Sequence, residues 1–337
     1  MERTKAKSKY SLLLMAAALA AIFVFSVTLG RYPVTVRELW GIFSARLWGG
    51  EKTWSQLTEN IVMQVRLPRI AAAVAVGAAL GVSGTAYQCI FRNPMAAPDV
   101  LGASTGAAFG AALAIITGHG GVTLILCAFL FSALCVLSAL LCARLSRGSR
   151  VIALVLSGIM MSSLFQAGTS FIKLIADPSN TLPAITYWLM GSLSDVKGAD
   201  LRLLWPPMLL GFVPIFLLRW KINLLTLDDR EARSMGVNTA AVRLCVIVAS
   251  TLLTAAAVSV SGIVGWVGLV IPHMARRIVG SDCRQLVPAS ALLGGGFLLL
   301  VDDLARNLYT VELPLSILTA VIGAPFFIYL LIRKGEW

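Results

Sequence analysis

Charged residues are scarce in this chain of 337 residues, at 13%, whereas apolar residues make up 58% of it. An ordinary soluble domain carries about 25% charged residues, and a soluble globule has no interior for so much apolar surface. The mean hydropathy of +0.85 is likewise too high for a soluble domain. The composition therefore excludes a soluble enzyme, a disordered tail and a DNA-binding domain. It indicates membrane-spanning helices, each of which needs about 20 apolar residues.

Residues that hold metals or nucleotides are also few. The chain has only two histidines, His119 and His273, and none of its six cysteines forms a CxxC pair. We therefore expect no metal site built from histidine and cysteine, and the cysteines are predicted to be small packing residues. The P-loop signature GxxxxGK[ST] is absent, so ATP binding of that kind is not expected. We expect no cofactor.

Carboxylates are missing from the middle of the apolar runs. Asp99, Asp302, Asp303 and Glu312 all fall near the predicted ends of spans. An ion-coupled carrier usually keeps an ionisable relay at depth in the membrane. The pattern counts against self-powered transport, and an ion-coupled secondary transporter stays as an alternative interpretation.

The apolar runs predict a single all-α integral membrane domain over residues 1–337, with about ten transmembrane helices. The runs lie near residues 11–29, 67–91, 97–117, 122–143, 151–176, 201–219, 241–261, 263–279, 286–305 and 312–332. The first is interpreted as a retained helix and not as a cleaved signal peptide, because it is longer than a usual signal core. The stretch 241–279 would be about 58 Å long as one helix, so we predict a bend at Ser261–Gly265. Gly77 and Gly81 form a GxxxG pair, which predicts close helix packing.

Basic residues indicate the orientation of the chain. With the N-terminus inside, most of the 28 lysines and arginines fall on the inner side, among them Arg144, Arg147, Arg333 and Lys334. Cytoplasmic loops are enriched in these residues. We therefore expect both termini to face the cytoplasm. The net charge of +12 is interpreted as a topology signal and not as a nucleic-acid-binding surface.

Two arginines stand against this bias at the outer start of a helix. Arg66 and Arg69 flank Pro68, and their charge opposes both the positive-inside pattern and the helix dipole. Snorkelling to outer headgroups is one interpretation. The other is a docking point for an acidic partner outside the membrane, because the guanidinium fork suits carboxylates. Arg306, another outer arginine, joins them in this hypothesis.

The inner loop 220–240 contains a short amphipathic pattern. Asp228 and Asp229 are predicted to start a helix and Gly236 to stop it. Leu227, Glu231 and Met235 would then share one face. Such a helix suits insertion into a groove of a cytoplasmic partner, and an interfacial membrane anchor is the alternative.

Two residues of the sequence form a candidate catalytic pair. Gly81-Val82-Ser83-Gly84 is a GxSG motif in a membrane helix, and His273 lies in another. Together they resemble the serine–histidine dyad of an intramembrane protease. Packing of a Gly- and Ala-rich helix explains the motif, and the different predicted depths of the two residues count against a catalytic pair.

Several ordered segments resemble the FecCD-type permeases of bacterial ABC importers, the iron-siderophore, haem and cobalamin uptake family. The resemblance runs from about residue 10 to the C-terminus. Its segments are Arg66-Leu67-Pro68-Arg69, Gly77 to Gly84 leading to Gln88, Asn93-Pro94-Met95-Ala96, Trp188-Leu189-Met190-Gly191-Ser192, Gly262 to His273, Glu312-Leu313-Pro314 and Gly323-Ala324-Pro325-Phe326.

The resemblance implies a type II ABC importer permease in a bacterial cytoplasmic (inner) membrane. Its implied partners are a second permease subunit, identical or paralogous, two cytoplasmic ATP-binding subunits and an extracytoplasmic substrate-binding protein. The implied ligand is an iron chelate, haem or a cobalamin-like molecule, and the chain itself is implied not to be an enzyme.

The resemblance also assigns roles to residues. Docking to the binding protein is implied for Arg66, Arg69 and Arg306. A coupling segment at about 224–237 is implied to seat on the ATPase through Leu227, Glu231, Ala232, Arg233, Met235 and Gly236. The fifth span is implied to line the translocation pathway through Ser162, Ser163 and Gln166. The chain departs from the family pattern at Asp228, usually Gly, at Met235, usually Leu, and at Trp266, commonly Phe.

Overall fold

A computed structural model describes residues 2–30, 32–49, 52, 54–146 and 150–332, and within these residues the chain forms helices and turns without a strand. In chain order the helices are α1 (Glu2–Thr28), α2 (Val36–Trp48), α3 (Gln56–Asn60), a π-helical turn (Ile61–Arg66), α4 (Leu67–Phe91), α5 (Ala103–Ile116), α6 (Gly121–Leu145), α7 (Arg150–Ile175), α8 (Thr181–Leu189), α9 (Gly198–Leu224), α10 (Asp229–Ser234), α11 (Thr239–Ser261), α12 (Val267–Val279), α13 (Cys283–Asn307) and α14 (Leu315–Ile332). Three of the basic residues assigned to the inner side lie outside the described residues, namely Arg147, Arg333 and Lys334.

The prediction of an all-α membrane protein is confirmed, and every predicted apolar run contains a helix, although the runs 97–117 and 263–279 begin before α5 and α12. Seven helical stretches of the described chain are long and apolar enough to cross a membrane, whereas α5 and α14 are shorter apolar helices. The prediction of about ten spans is therefore approximate. Helix α12 has 13 residues, which corresponds to about 20 Å and covers only part of a hydrocarbon core of about 30 Å.

The bend predicted between the seventh and eighth runs is confirmed. Helix α11 ends at Ser261 and α12 begins at Val267. Between them, Gly262 has a φ of +67° and Trp266 a φ of +68°. A positive φ is costly for a residue with a Cβ, so the conformation of Trp266 must be stabilised by contacts with neighbouring side chains. Trp266 packs on Phe327 of α14, with ring centroids 6.0 Å apart.

Helix α4 lies at the centre of the fold, because its neighbours α11, α12 and α13 cover it on several sides. Glycines allow this close approach. A Cβ built on Gly77 would meet the carbonyl of Gly294 on α13, and one on Gly84 would meet the carbonyl of Gly268 on α12. The close packing predicted from the GxxxG spacing is thereby confirmed at Gly77.

We expect Gly84→Ala to destabilise the protein, since its new methyl group has no room against the backbone of α12. Overpacking of this kind costs about 1–3 kcal/mol. Thermal unfolding of the purified chain in detergent measures the effect. Gly198→Ala is the matched control, because a Cβ at Gly198 has no neighbour within 4 Å. Equal midpoints for the two variants would contradict the packing described here.

Candidate functional site

The arginines singled out in the sequence come together with acidic residues at one end of α4 and α13. We call Arg66, Arg69, Asp302, Asp303, Arg306 and Glu312 the ionic cluster. Its centre is a fork between Arg69 and Asp302, in which Nε and Nη2 donate to the carboxylate at 2.9–3.1 Å. The Arg69 Nη1 atom donates to Oε1 of Glu312 at 2.9 Å. Such two-pronged pairs fix geometry as well as charge.

The second half of the ionic cluster attaches α1. Arg306 contacts the carboxylate of Asp303 and donates to Oγ of Ser26 at 2.7 Å. The Ser26 hydroxyl in turn donates to Asp303 Oδ1 at 2.6 Å. Arg66 donates to the backbone carbonyl of Val27 at 2.7 Å and also contacts the carbonyl of Tyr32. The cluster thus joins the ends of α1, α4 and α13 to the loop before α14.

The three arginines are buried, with 4%, 6% and 7% of Arg66, Arg69 and Arg306 exposed. The sequence hypothesis placed them at the surface, as a docking point or as snorkelling side chains, whereas the structure gives each of them internal partners. Glu312 is the most exposed member of the cluster, with 27% of its side chain accessible. The docking role stays a prediction. It now requires the arginines to give up hydrogen bonds within the cluster in order to bind carboxylates of the binding protein.

Helix α10 is held to the helix ends beside it by charge. Its first residue, Asp229, receives hydrogen bonds from Arg92 at 2.9 Å and from Arg243 at 3.1 Å. The hydrogen bond from Arg243, with the positive charges of both arginines, holds the pKa of Asp229 below its ordinary value. Arg92 also donates to the carbonyl of Leu225 at 3.0 Å. The C-terminal end of α4 is thereby tied to α10 and the turn before it.

The predicted coupling residues divide into an anchored and an exposed group. Ala232 is fully buried, whereas Glu231, Arg233, Met235 and Gly236 are exposed. The short helix predicted between Asp228 and Gly236 is confirmed. The shared face predicted for Leu227, Glu231 and Met235 is wrong. Leu227 precedes α10 in a turn and packs partly against the core.

The residues predicted to line a pathway share one face of α7. Ser162, Ser163 and Gln166 border a cavity of about 620 Å³, together with Ser170 of the same helix and Asp99 of the loop before α5. Ser163 and Gln166 are exposed, and Ser162 is half-buried. The cavity wall therefore offers hydroxyl and amide groups at successive turns of one helix. The carboxylate of Asp99 was not predicted as part of it.

Ser83 and His273 do not form a catalytic pair in the structure. The Ser83 hydroxyl is buried, donates to the carbonyl of Ser250 at 3.1 Å and lies 2.9 Å from the hydroxyl of Thr254. The His273 ring lies against Phe327 on α14, with centroids 5.3 Å apart. Ser83 therefore binds α4 to α11, and His273 packs α12 against α14. A nucleophile needs a base within hydrogen-bond reach.

Comparison with known proteins gives a consistent result. The sequence profile of the FecCD transport family matches residues 18–333. The chain is 39% identical over 315 residues to the molybdate import system permease protein of Haemophilus influenzae, covering 93% of each chain. It is 35% identical over 322 residues to the hemin transport system permease protein of Yersinia pestis, covering 92% of each.

A solved structure agrees with these matches. A metal-chelate type ABC transporter in an inward-facing conformation superposes with a TM-score of 0.86 at 38% identity, over 96% of this chain and 98% of that one. An iron chelatin transport system permease protein of Helicobacter pylori is 42% identical over 273 residues, which is 81% of this chain and 82% of that protein.

Proposed function

This chain belongs to the FecCD transport family of ABC importer permeases, and from that premise we propose that it carries a bulky iron chelate, haem or cobalamin-like ligand into the cell. As a permease subunit it is not an enzyme, and ATP hydrolysis belongs to a separate subunit. The secondary-transporter and intramembrane-protease alternatives are therefore wrong.

The observation that carries the proposed ligand class is the polar face of α7. Hydroxyl and amide side chains at Ser162, Ser163, Gln166 and Ser170 border a cavity of about 620 Å³. Neutral hydrogen-bonding groups suit a large chelate that must pass without being held tightly. The molybdate relative suggests a small oxyanion as the competing ligand.

We further propose the assembly implied by the resemblance. A second permease subunit would close the open side of the α7 cavity, which a single chain leaves accessible. Each of the two ATPase subunits would seat on the α10 of one permease subunit, where Glu231 and Met235 are exposed while Ala232 is buried. A binding protein would dock at the ionic cluster, near Glu312. In this arrangement both termini face the cytoplasm.

Transport by the reconstituted complex tests the proposal. We expect a radiolabelled ferric siderophore to accumulate in proteoliposomes only when the ATPase subunits, the binding protein and ATP are all present. A proton or sodium gradient without ATP is expected to give no uptake. We expect Gln166→Phe to reduce uptake severalfold, because the ring narrows the cavity beside α7.

Leu164→Phe is the matched control, because Leu164 is an exposed residue of α7 outside the cavity wall. Uptake driven by an ion gradient without ATP would contradict the mechanism. ATP-driven uptake of molybdate, with no ferric siderophore, haem or cobalamin taken up, would replace the proposed ligand class and leave the mechanism intact. Equal uptake by the Gln166→Phe and Leu164→Phe variants would contradict the assignment of the pathway wall.

A further inference from the structure

Two buried thiols meet at the end of α4 that lies opposite the ionic cluster. The sulfur atoms of Cys89, near the end of α4, and Cys283, the first residue of α13, are 3.0 Å apart. Cys89 is 5% exposed, and Cys283 is completely buried. We call these two residues the thiol pair. Neither the proposed transport mechanism nor the proposed assembly uses it.

The helices that carry the thiol pair are already held close together. One turn before Cys89 on α4, the hydroxyl of Thr85 donates to the hydroxyl of Ser290 on α13 at 2.7 Å. The backbone amide of Cys283 donates to Oδ1 of Asn223 on α9 at 3.1 Å. A disulfide bond has a sulfur–sulfur distance of about 2.05 Å, so the two sulfur atoms need to approach by only about 1 Å. A side-chain movement of that size does not require either helix to shift.

The surroundings of the thiol pair favour oxidation and distinguish its two members. The positive charge of Arg276, in the last turn of α12, acts on both sulfur atoms. A neighbouring guanidinium group is typical of cysteines that react with oxidants. Only Cys89 keeps some exposed surface, and its chain neighbour Gln88 lines a cavity of about 460 Å³ at this end of α4. A small oxidant therefore reaches Cys89 before it reaches Cys283.

We propose that the thiol pair is a redox-sensitive modification site, which a peroxide converts into a disulfide bond. In the first step the Cys89 sulfur attacks one oxygen of hydrogen peroxide, the O–O bond breaks, and a sulfenic acid and one water molecule form. In the second step the Cys283 thiol attacks that sulfur, the S–S bond forms, and a second water molecule leaves. Sulfenic acids condense with nearby thiols in this way. The two thiols together lose two electrons, and one peroxide molecule is reduced to two water molecules.

The location of the thiol pair indicates that the disulfide is reversible. In the proposed orientation this end of α4 faces the cytoplasm, where disulfides are rare and usually transient or redox-sensing. We therefore expect thiols in the resting protein and a disulfide after exposure to peroxide. The cross-link would join positions 194 residues apart, and closing a long loop stabilises a folded chain. The proposal does not depend on the identity of the transported ligand.

Thiol mapping of the purified full chain in detergent tests the proposal. The chain is treated with hydrogen peroxide, its remaining thiols are alkylated in denaturant, and its peptides are analysed by mass spectrometry. We expect two of the six cysteines to escape alkylation and a linked peptide that contains Cys89 and Cys283. Oxidation should raise the thermal midpoint, and dithiothreitol should reverse both changes. Because this measurement uses the unaltered chain, it does not depend on the folding of any variant.

Single serine variants test the order of the two steps. Cys283→Ser lacks the second thiol, so peroxide should leave a sulfenic acid on Cys89, which dimedone labels. In Cys89→Ser we expect loss of most of that labelling, since Cys283 is completely buried. Both variants should lose the linked peptide. Cys142→Ser is the matched control, because Cys142 is an exposed cysteine of α6, and it should form the linked peptide as the wild type does.

Each outcome decides the proposal. A linked peptide of Cys89 and Cys283 that forms in the wild type and in Cys142→Ser, and that dithiothreitol removes, supports it. Oxidation of Cys142 without a bond between Cys89 and Cys283 would overturn it. Equal dimedone labelling of Cys283 in Cys89→Ser and of Cys89 in Cys283→Ser would overturn the assigned order. A thermal midpoint that falls on oxidation would overturn the stabilising effect of the cross-link.

Discussion

Asp302→Ala is expected to destabilise the protein by about 3–5 kcal/mol, the cost of leaving a buried charge without its partner. Asp302 is completely buried and accepts the fork of Arg69. Arg306 lies 3.6 Å from the same carboxylate. Removal of the carboxylate would leave Nε and Nη2 of Arg69 buried without an acceptor, although Nη1 still donates to Glu312. Arg306 would keep only Asp303 as its acidic partner. The ends of α4 and α13 would therefore lose their main polar connection.

The yield of folded protein and the thermal midpoint in detergent measure this effect. Glu312→Gln is the matched control, because Glu312 is partly exposed and its amide oxygen still accepts from Arg69. We expect that change to cost less than about 1 kcal/mol. Arg69→Met combined with Asp302→Leu should recover much of the stability lost in Asp302→Ala, since the buried pair is removed together and only the partly exposed Glu312 loses its arginine. A thermal midpoint for Asp302→Ala equal to that of the wild type would contradict the stabilising role of the ionic cluster.

The same cluster changes how docking of a binding protein must be tested. Charge reversal at Arg66 and Arg69 places new carboxylates beside Asp302 and the carbonyls of α1, so weak binding of such a variant would report unfolding. The conservative Glu312→Gln change is better suited, because it alters the most exposed partner of Arg69 and keeps the buried pair. The docking hypothesis is therefore best tested by substituting Glu312 and leaving the buried arginines unchanged.

The helices could be predicted from hydropathy because lipid demands long apolar stretches with internally satisfied backbones. The short helices α2 and α8 were not predicted, since neither forms an apolar run of spanning length. Helix α2 carries a local signal that would have revealed it. Thr35 and Glu38 form a capping box, in which the Thr35 side chain caps the amide of Glu38 and the Glu38 carboxylate accepts from the amide of Thr35.

The residues of the candidate site could be named from the sequence, but their surroundings could not. Arg69 stands 233 residues from Asp302 and 243 from Glu312, so no local pattern indicates that they pair. Leu227 was placed on the face of a helix because Asp228 and Asp229 both resemble start signals. Asp228 precedes the first turn, and Leu227 therefore lies outside the helix.

The second large effect is expected at α10, where Ala232→Leu should abolish coupled transport in the reconstituted complex. Ala232 is fully buried, so a larger side chain must lift the helix or displace its neighbours. Overpacking costs about 1–3 kcal/mol, and about 1.4 kcal/mol changes an equilibrium tenfold. The ion pairs of Asp229 with Arg92 and Arg243 hold the start of α10, which confines the displacement to the C-terminal half of this six-residue helix.

ATP hydrolysis and ligand uptake measured on the same proteoliposomes separate loss of coupling from loss of assembly. We expect Ala232→Leu to retain hydrolysis while uptake falls about tenfold or more, because in the proposed coupling role α10 passes the movement of the ATPase to α4 through Arg92, and the larger side chain displaces α10. Ala240→Leu is the matched control, since it adds the same bulk at an exposed alanine of α11. Parallel loss of hydrolysis and uptake would show that α10 holds the ATPase in place without transmitting its movement. Normal uptake by Ala232→Leu would exclude α10 as the coupling element, whatever the ligand.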